Sequence, residues 1–474
     1  MDKKIDEIQK LFESWKKRKL TIFGKVCVIN TLAISKFLYT ASILDYPEDQ
    51  TIKLINKKIF QFIWNKKDRI KRNTMIGSIC NGGINLVDID SKIKSLKAAW
   101  IRKIYFSNNS LKDFLNSFCS ERNTDFNYIL KTNATGMDDF DLIRNFNNFY
   151  KEIFMYFNSV KKCQNIDNMT LNNILCQPLW CNKLFQYKGK CVFFENWIQS
   201  GLRYVIDIVD ENGIKPIDWF YTNIKCKSNI LCEYKIMANI IRKIRNVNFQ
   251  YLPFQNLHMK LSFQIISFGK FVEVSDISSK MMYTIFVKRK FHKPLYQSFY
   301  SRNLNIEKSS WTNVYKNKIE DMYERKVAEF NFQLLNNILC NKLFLKKIKK
   351  TESEMCDLCK IDIEDNEHLI YCCENVKHIW KTTSKIVKFD INWKHICIGF
   401  YAEHNSKIVT LNNLISTVAT IIYKYKMYCR IKEIAESTEK TLIHVKSSFK
   451  MYSYIYKRIN ADLSKIFDKI YNAL

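Results

Sequence analysis

The densest metal-ligating chemistry in the chain is Cys356-Asp-Leu-Cys359, followed by His368 and the adjacent thiols Cys372 and Cys373. Two cysteines separated by two residues let a tight turn present both sulfurs to one ion. A histidine and a cysteine on the next short element complete a tetrahedron. Residues 366–371 have the character of a helical turn, on which His368 and Cys372 share a face and Cys373 lies slightly round it. The competing reading is a set of buried thiols, since the sequence has 16 cysteines and free cysteine packs as a small hydrophobe. A second thiol pair and a histidine so close by, in a loop rich in Asp, Glu and Lys, favour structural zinc. With no spare ligand position, the site reads as a closed four-ligand knuckle and not a catalytic metal.

A second kind of chemistry is polyanion binding. The formal net charge is +30, which suits a nucleic-acid partner. Lysine far outnumbers arginine, and Asn, Ile, Tyr and Phe are abundant, a bias that an AT-rich coding sequence also produces. Placement of the charges therefore says more than their sum. One cluster is Lys57, Lys58, Lys66, Lys67, Arg69, Lys71 and Arg72 against a single acid, Asp68, with Phe60, Phe62 and Trp64 interleaved. Cations of this kind neutralise phosphates, and aromatic faces stack on bases or sugars. The alternative is a solvated helix end whose rings belong to the core. A second cluster, Lys342, Lys346, Lys347, Lys349 and Lys350, precedes Cys356. A bound metal would stiffen the adjoining loop and helix, so that these lysines present one phosphate-binding face.

The elements that position these groups are expected to be helices. A chain of 474 residues is too long for one core, and with 47% apolar residues, 14% aromatics, ten glycines and five prolines it suits long helices in two to four domains. Residues 1–20 form an amphipathic helix on Ile5, Ile8, Leu11, Phe12 and Trp15. Thr21 caps a second helix with the stripe Val26, Ile29, Ala33, Phe37, Ala41 and Leu44. A third begins near Asp49 and runs to Trp64. Residues 76–88, around Asn81-Gly82-Gly83, read as a small β-hairpin, and a helix through Leu96, Trp100 and Ile104 follows. Further helices are expected at about 228–250, 278–291, 406–437 and 438–472. The run from Val26 to Leu44 is interrupted by Asn30, Ser35 and Lys36, so no membrane span is expected. The cysteine count with no apolar export segment points to a reducing compartment.

An ordered series of motifs extends these readings. It begins with Trp15-Lys-Lys-Arg18-Lys-Leu20-Thr21-x-x-Gly24-Lys25-x-x-Val28-Ile29-Asn-Thr-Leu32 and Ser35-Lys36-x-x-Tyr39. Phe62-Ile-Trp64, Gly82-Gly83-Ile-Asn-Leu86 and Ala98-x-Trp100 follow. Next come Pro178-Leu-Trp180, Gly189-Lys190, Phe194-x-x-Trp197, Gly201 and Asp207-x-x-Asp210-Glu-Asn-Gly213. Ser279-Lys280-x-x-Tyr283, Trp311, Phe330-Asn-Phe332-x-x-Leu335-x-Asn337-x-Leu339, the cysteine cluster and Trp380 complete it. In this order the series resembles the segment after the palm in the reverse transcriptase polyproteins of LINE-type (non-LTR) retrotransposons.

The resemblance implies a mainly α, multi-domain helical array in three regions. Residues 1–105 correspond to a thumb, 106–300 to a wrist-like region with a variable connector at 106–175, and 301–474 to a C-terminal domain with a zinc knuckle at 356–373. The family's His-x4-Cys spacing makes the ligands Cys356, Cys359, His368 and Cys373, whereas helical spacing favours Cys372. The implied partners are template RNA, target DNA and the rest of the polyprotein during target-primed reverse transcription, in a cytoplasmic and nuclear ribonucleoprotein, with no membrane.

No catalysis is expected of the chain itself. Reverse transcription needs two metal-binding aspartates on adjacent strands. Gly136-Met137-Asp138-Asp139 has a superficial likeness, but its flanks read as a loop entering a helix, and by family register the palm lies before residue 1. No glycine-rich phosphate loop or catalytic triad occurs. The histidines at 258, 292, 395, 404 and 444 are isolated, and His378 is a distant choice as a ligand. The rival readings are a helical protein-interaction module and a truncated retrotransposon product without function.

Overall fold

The computed structural model describes residues 2–65, 67–106, 110–121, 123–134, 142–162, 169–225, 229–243, 262–264, 271–402, 404–434 and 438–474. Helices dominate, as the scarcity of glycine and proline requires. The only strands among the described residues are three two-stranded antiparallel ribbons, Gln186–Tyr187 with Lys190–Cys191, Val209–Asp210 with Gly213–Ile214, and Ser262–Gln264 with Phe271–Glu273.

The chain packs into two compact units, both discontinuous in sequence. One comprises 1–34, 54–87 and 290–474; the other comprises 35–53 and 88–289. The three consecutive regions of the resemblance follow sequence order, and packing divides the chain differently.

The first unit carries the metal-ligand cluster. Its C-terminal core is built on the helix Ser406–Lys432, against which Thr438–Tyr456, Ala461–Ala473 and Arg325–Leu335 pack. Leu414, Val418, Ile422, Val376, Trp380, Phe449 and Phe467 are buried there with Cys356 and Cys373. The expected 438–472 helix is broken before Asn460, whose side chain accepts from the Leu463 N–H at 2.9 Å and caps the last helix.

In the second unit a helical core gathers around Trp180 and Trp197, whose rings lie 6.1 Å apart edge to face. Each indole N–H finds a partner, Leu202 O at 2.7 Å and Glu233 Oε2 at 2.8 Å, as burial of a tryptophan demands. Asp207 accepts from the backbone N–H groups of Arg203 and Tyr204, both at 2.7 Å. In this unit the motif residues Trp180, Trp197 and Asp207 are packing and capping residues.

Near the start the structure follows the expected caps closely. Asp2–Lys16 is a helix, Thr21 Oγ1 accepts from the Gly24 N–H at 3.1 Å, and Asp49–Trp64 is the third helix. Between them the chain is helical from Ile22 to Ile43, with five residues, Ile29–Ala33, in π geometry. Contrary to the expectation for Val26–Leu44, this run is long and apolar enough to cross a membrane. Its stripe of Val26, Ile29, Ala33, Phe37 and Ala41 is buried, whereas Leu32, Tyr39, Ile43 and Leu44 are exposed.

The β-hairpin expected at 76–88 is not formed. A helical turn, Arg72–Met75, and a 3-10 turn, Ile79–Asn81, precede a loop. The loop folds back, but Ile84 and Leu86 both donate to the Met75 carbonyl, so no ladder develops. Asn85 sits at φ 57°, in the middle of the expected second strand, and breaks it. The glycines serve close approach instead. A Cβ at Gly83 would lie 2.1 Å from the Gly77 carbonyl oxygen.

Candidate metal centre

Around Cys356 a tight loop is built from backbone hydrogen bonds. The Cys356 N–H donates to Asp362 O at 2.9 Å, the Lys360 N–H to Cys356 O at 3.0 Å, and Met355 bridges Ile363. Lys360 takes a left-handed conformation, φ 58°, which closes the turn. It lets the Ile361 N–H point at Cys359 Sγ, 3.5 Å away. The Cys-x2-Cys pair is thus fixed with both sulfurs on the inside of the loop.

The other two ligands are His368, which opens the single π turn His368–Cys372, and Cys373, the residue that ends it. In this geometry the N–H of residue i bonds the carbonyl of i−5, and Cys373 N–H donates to His368 O at 3.2 Å. That extra residue per turn carries Cys373, not Cys372, round to the imidazole. Cys372 Sγ points elsewhere, toward Glu367 Oε1 at 3.8 Å. An α-turn would have reversed the choice.

The four ligand atoms of Cys356, Cys359, His368 and Cys373 all lie within 4.8 Å of one another. Cys356 and Cys373 Sγ are 4.0 Å apart, and Cys359 Sγ is 3.3 Å from His368 Nε2. A tetrahedron with Zn–S bonds of about 2.3 Å has S–S edges of about 3.8 Å, so this cluster can hold a metal ion with little movement. The Asp362 carboxylate lies 3.6 Å from His368 Nδ1, the nitrogen turned away from the cluster, and can orient the ring. His368 is also held through its backbone N–H, which donates to Asp365 Oδ1 at 2.8 Å.

Electrostatics split the two buried thiols of the cluster. The hydrogen bond from the Cys356 thiol holds Cys373 down to about 7, and the same bond and burial push Cys356 up. Lys426, on the Ser406–Lys432 helix, lowers both thiols through its charge. It is buried, and its Nζ has no hydrogen-bond partner among the described residues. Sequence reasoning missed Lys426, because only the fold brings residue 426 to residues 356 and 373.

The metal loop is tied to the rest of its unit. Glu364 receives Arg430 Nη2 at 2.6 Å and the Lys342 N–H at 3.0 Å. Asn341 Nδ2 donates to Asn366 Oδ1 at 2.6 Å, and Asn366 Nδ2 to Asn337 Oδ1 at 2.7 Å. His378 lies outside the cluster.

The expected phosphate-binding lysines divide by role. Lys342 pairs with Asp357 and Lys346 with Glu354, each at 2.9 Å, so both brace the metal loop. Lys347, Lys349 and Lys350 are exposed. In the earlier cluster Lys57, Lys67, Arg69, Lys71 and Arg72 are exposed, Lys58 is half-buried and bonded to Gln9, and Lys66 is outside the described residues. Two of the three interleaved rings belong to the core, and Trp64 is half-buried. Phe60 and Phe62 are buried, Phe62 stacks on Phe12 at 4.5 Å, and Arg72 covers Phe60 at 4.5 Å. Asp138 and Asp139 lie outside the described residues. Compared with known proteins, the chain matches no family model and no curated protein.

Proposed function

We propose that this chain is the post-palm, nucleic-acid-binding portion of a LINE-type reverse transcriptase, closed by a structural zinc knuckle. It binds template RNA and target DNA in target-primed reverse transcription and has no polymerase chemistry of its own. The catalytic palm and endonuclease belong to the rest of the polyprotein, and the assembly is a ribonucleoprotein of cytoplasm and nucleus. Bound zinc would supply cross-linking and no chemistry. Cys356, Cys359, His368 and Cys373 fill its four positions and leave none for substrate.

The observation that supports this reading most is the fourth ligand. The family spacing requires Cys373 where α-helical spacing favours Cys372, and Cys373 is the one of the two whose sulfur lies in the four-ligand cluster. Exposed cations at Lys67, Arg69 and Lys71 and at Lys347, Lys349 and Lys350 support the binding role.

Two measurements on the purified chain test the reading. Metal analysis in reducing buffer should give one zinc per chain. Titration with RNA should give an affinity that falls steeply with salt, as release of counterions from several phosphates requires. A metal-free folded chain, or affinity indifferent to salt, overturns the proposal and leaves a helical interaction module.

A further inference from the structure

Arg69, Lys71 and Arg72 of the first basic cluster and Lys347 of the second, far apart in sequence, line one cleft within the first unit. Its volume is about 1200 Å³. Small-molecule sites run to roughly 300–1,000 Å³, so this space suits a stretch of polymer. Arg69, Lys71 and Arg72 line it from one stretch, and Lys347 and Lys394 from two others. Lys71, Lys347 and Lys394 carry no ion pair among the described residues.

Between these cations the lining is apolar and open. Leu295 is 63% exposed, Ile348 47%, Phe299 45% and Leu343 44%. Tyr296 and Trp393 add half-buried rings, Tyr296 edge to face with Phe299 at 6.0 Å. Water-exposed aromatic and aliphatic faces in a basic cleft match a ligand with flat apolar faces on an anionic backbone. A duplex hides its base faces and presents phosphates, sugars and groove edges, which would leave these ring faces without stacking partners.

Three acids also line the cleft, and each is engaged by its own surroundings. Asp68 holds Arg72 at 2.8 Å, Asp365 takes the His368 N–H at 2.8 Å, and Glu367 takes the Cys372 thiol at 3.8 Å. Asp365, Asn366 and Glu367 belong to the loop that leads into the metal ligands. The Asn341–Asn366–Asn337 chain of hydrogen bonds links that loop to another wall.

We infer that this cleft is a single-strand site, in which unpaired bases stack on Trp393, Tyr296 and Phe299 while Arg69, Lys71, Lys347 and Lys394 follow the phosphates. The inference rests on the proposed nucleic-acid-binding function and places it. It also explains why a metal knuckle adjoins the site: the ion would fix one wall.

The test uses the whole zinc-loaded chain with an oligouridylate carrying 4-thiouridine and a hairpin duplex of equal length. Photocrosslinks should map to the peptides holding Trp393 and 295–303. Trp393→Ala and Phe299→Ala should each weaken single-strand binding roughly tenfold, as loss of one stacked base does, and leave duplex binding nearly unchanged. Trp393→Phe should restore most of the affinity. Lys71→Ala with Lys347→Ala should flatten the salt slope by roughly 0.7 for each phosphate no longer neutralised. Phe299 and Lys71 are exposed, so these variants report even where Trp393→Ala disturbs folding. Salt-dependent binding that survives all these changes, with crosslinks elsewhere, overturns the cleft and leaves the broader function standing. An equal loss on duplex overturns the single-strand assignment. Absence of binding to any nucleic acid, with an acidic amphipathic peptide retained instead, overturns both.

Discussion

The choice between two adjacent thiols turns on a single residue of helical pitch. Cys372 and Cys373 have the same chemistry, and only the π turn at His368–Cys372 brings the second and not the first to the histidine. Cys373→Ser should therefore abolish stoichiometric zinc binding and Cys372→Ser should keep it, as metal analysis after dialysis against a weak chelator would show. Equal loss in both variants would contradict the geometry. Lys426 makes a subtler prediction. Three thiolates and one divalent ion leave a net negative centre, and a buried ammonium offsets it. Lys426→Met should weaken metal affinity by about tenfold to a hundredfold, the range seen for groups that support ligands from behind. Lys426→Arg should recover part of it. Competition with a chromogenic chelator measures this, and the sulfur-to-metal charge-transfer band of the cobalt(II) form should shift only if the ammonium acts on the thiolates. Ligand types and spacing were legible in the sequence. The resemblance supplied Cys373, while local periodicity supplied Cys372, because a π turn leaves no trace in residue spacing.

Elements were legible where a short-range device sets them. Thr21, the amphipathic stripes and the termination at Trp64 are local, and the structure has them. The hairpin at 76–88 was illegible because Asn81-Gly82-Gly83 has turn chemistry, yet what decides the loop is the approach of Gly77 to Gly83 and the left-handed Asn85. A further π turn, Lys316–Glu320, holds a fully buried cation, Lys318. Lys318 donates to Ile396 O and Ser416 Oγ, both at 2.8 Å, and burial lowers its pKa from 10.5 to about 7. A base with a depressed folded pKa binds more protons unfolded than folded between those values, so stability rises with pH above about 7. The slope from one proton is about 1.4 kcal/mol per pH unit. Above 9.0 the buried thiol of Cys397, pushed up by desolvation, opposes it, so the clean window lies below that pH. Urea midpoints of the wild type and Lys318→Met should therefore diverge in pH slope by about one proton between pH 7 and 9. Identical slopes would show that Lys318 is charged in the folded state.

At the scale of the whole molecule, the division into two units predicts how the protein responds to loss of its metal. Its cluster, Arg430, Lys342 and the Ser406–Lys432 helix all belong to the first unit. The second has a separate core around Trp180 and Trp197 that contains none of the ligands. Stripping the ion leaves three thiols and an imidazole facing one another, with Cys356 and Cys373 inside the apolar core and the buried Lys426 acting on both. Ion binding contributes folding free energy directly, on the order of 10 kcal/mol for small zinc modules, and part of that should be lost. Hydrogen exchange should accordingly rise on chelation across 337–380, where the asparagine bonds and the Glu364–Arg430 pair connect the loop to the helices. Peptides from 171–225 should exchange as before. Single-strand affinity should fall in step with the protection of 337–367, since Asn337, Asn341 and Asp365 line the same cleft. Uniform deprotection of both units would mean that the metal stabilises the chain as one cooperative body. Unchanged exchange everywhere would mean that the four ligands pack well enough without it.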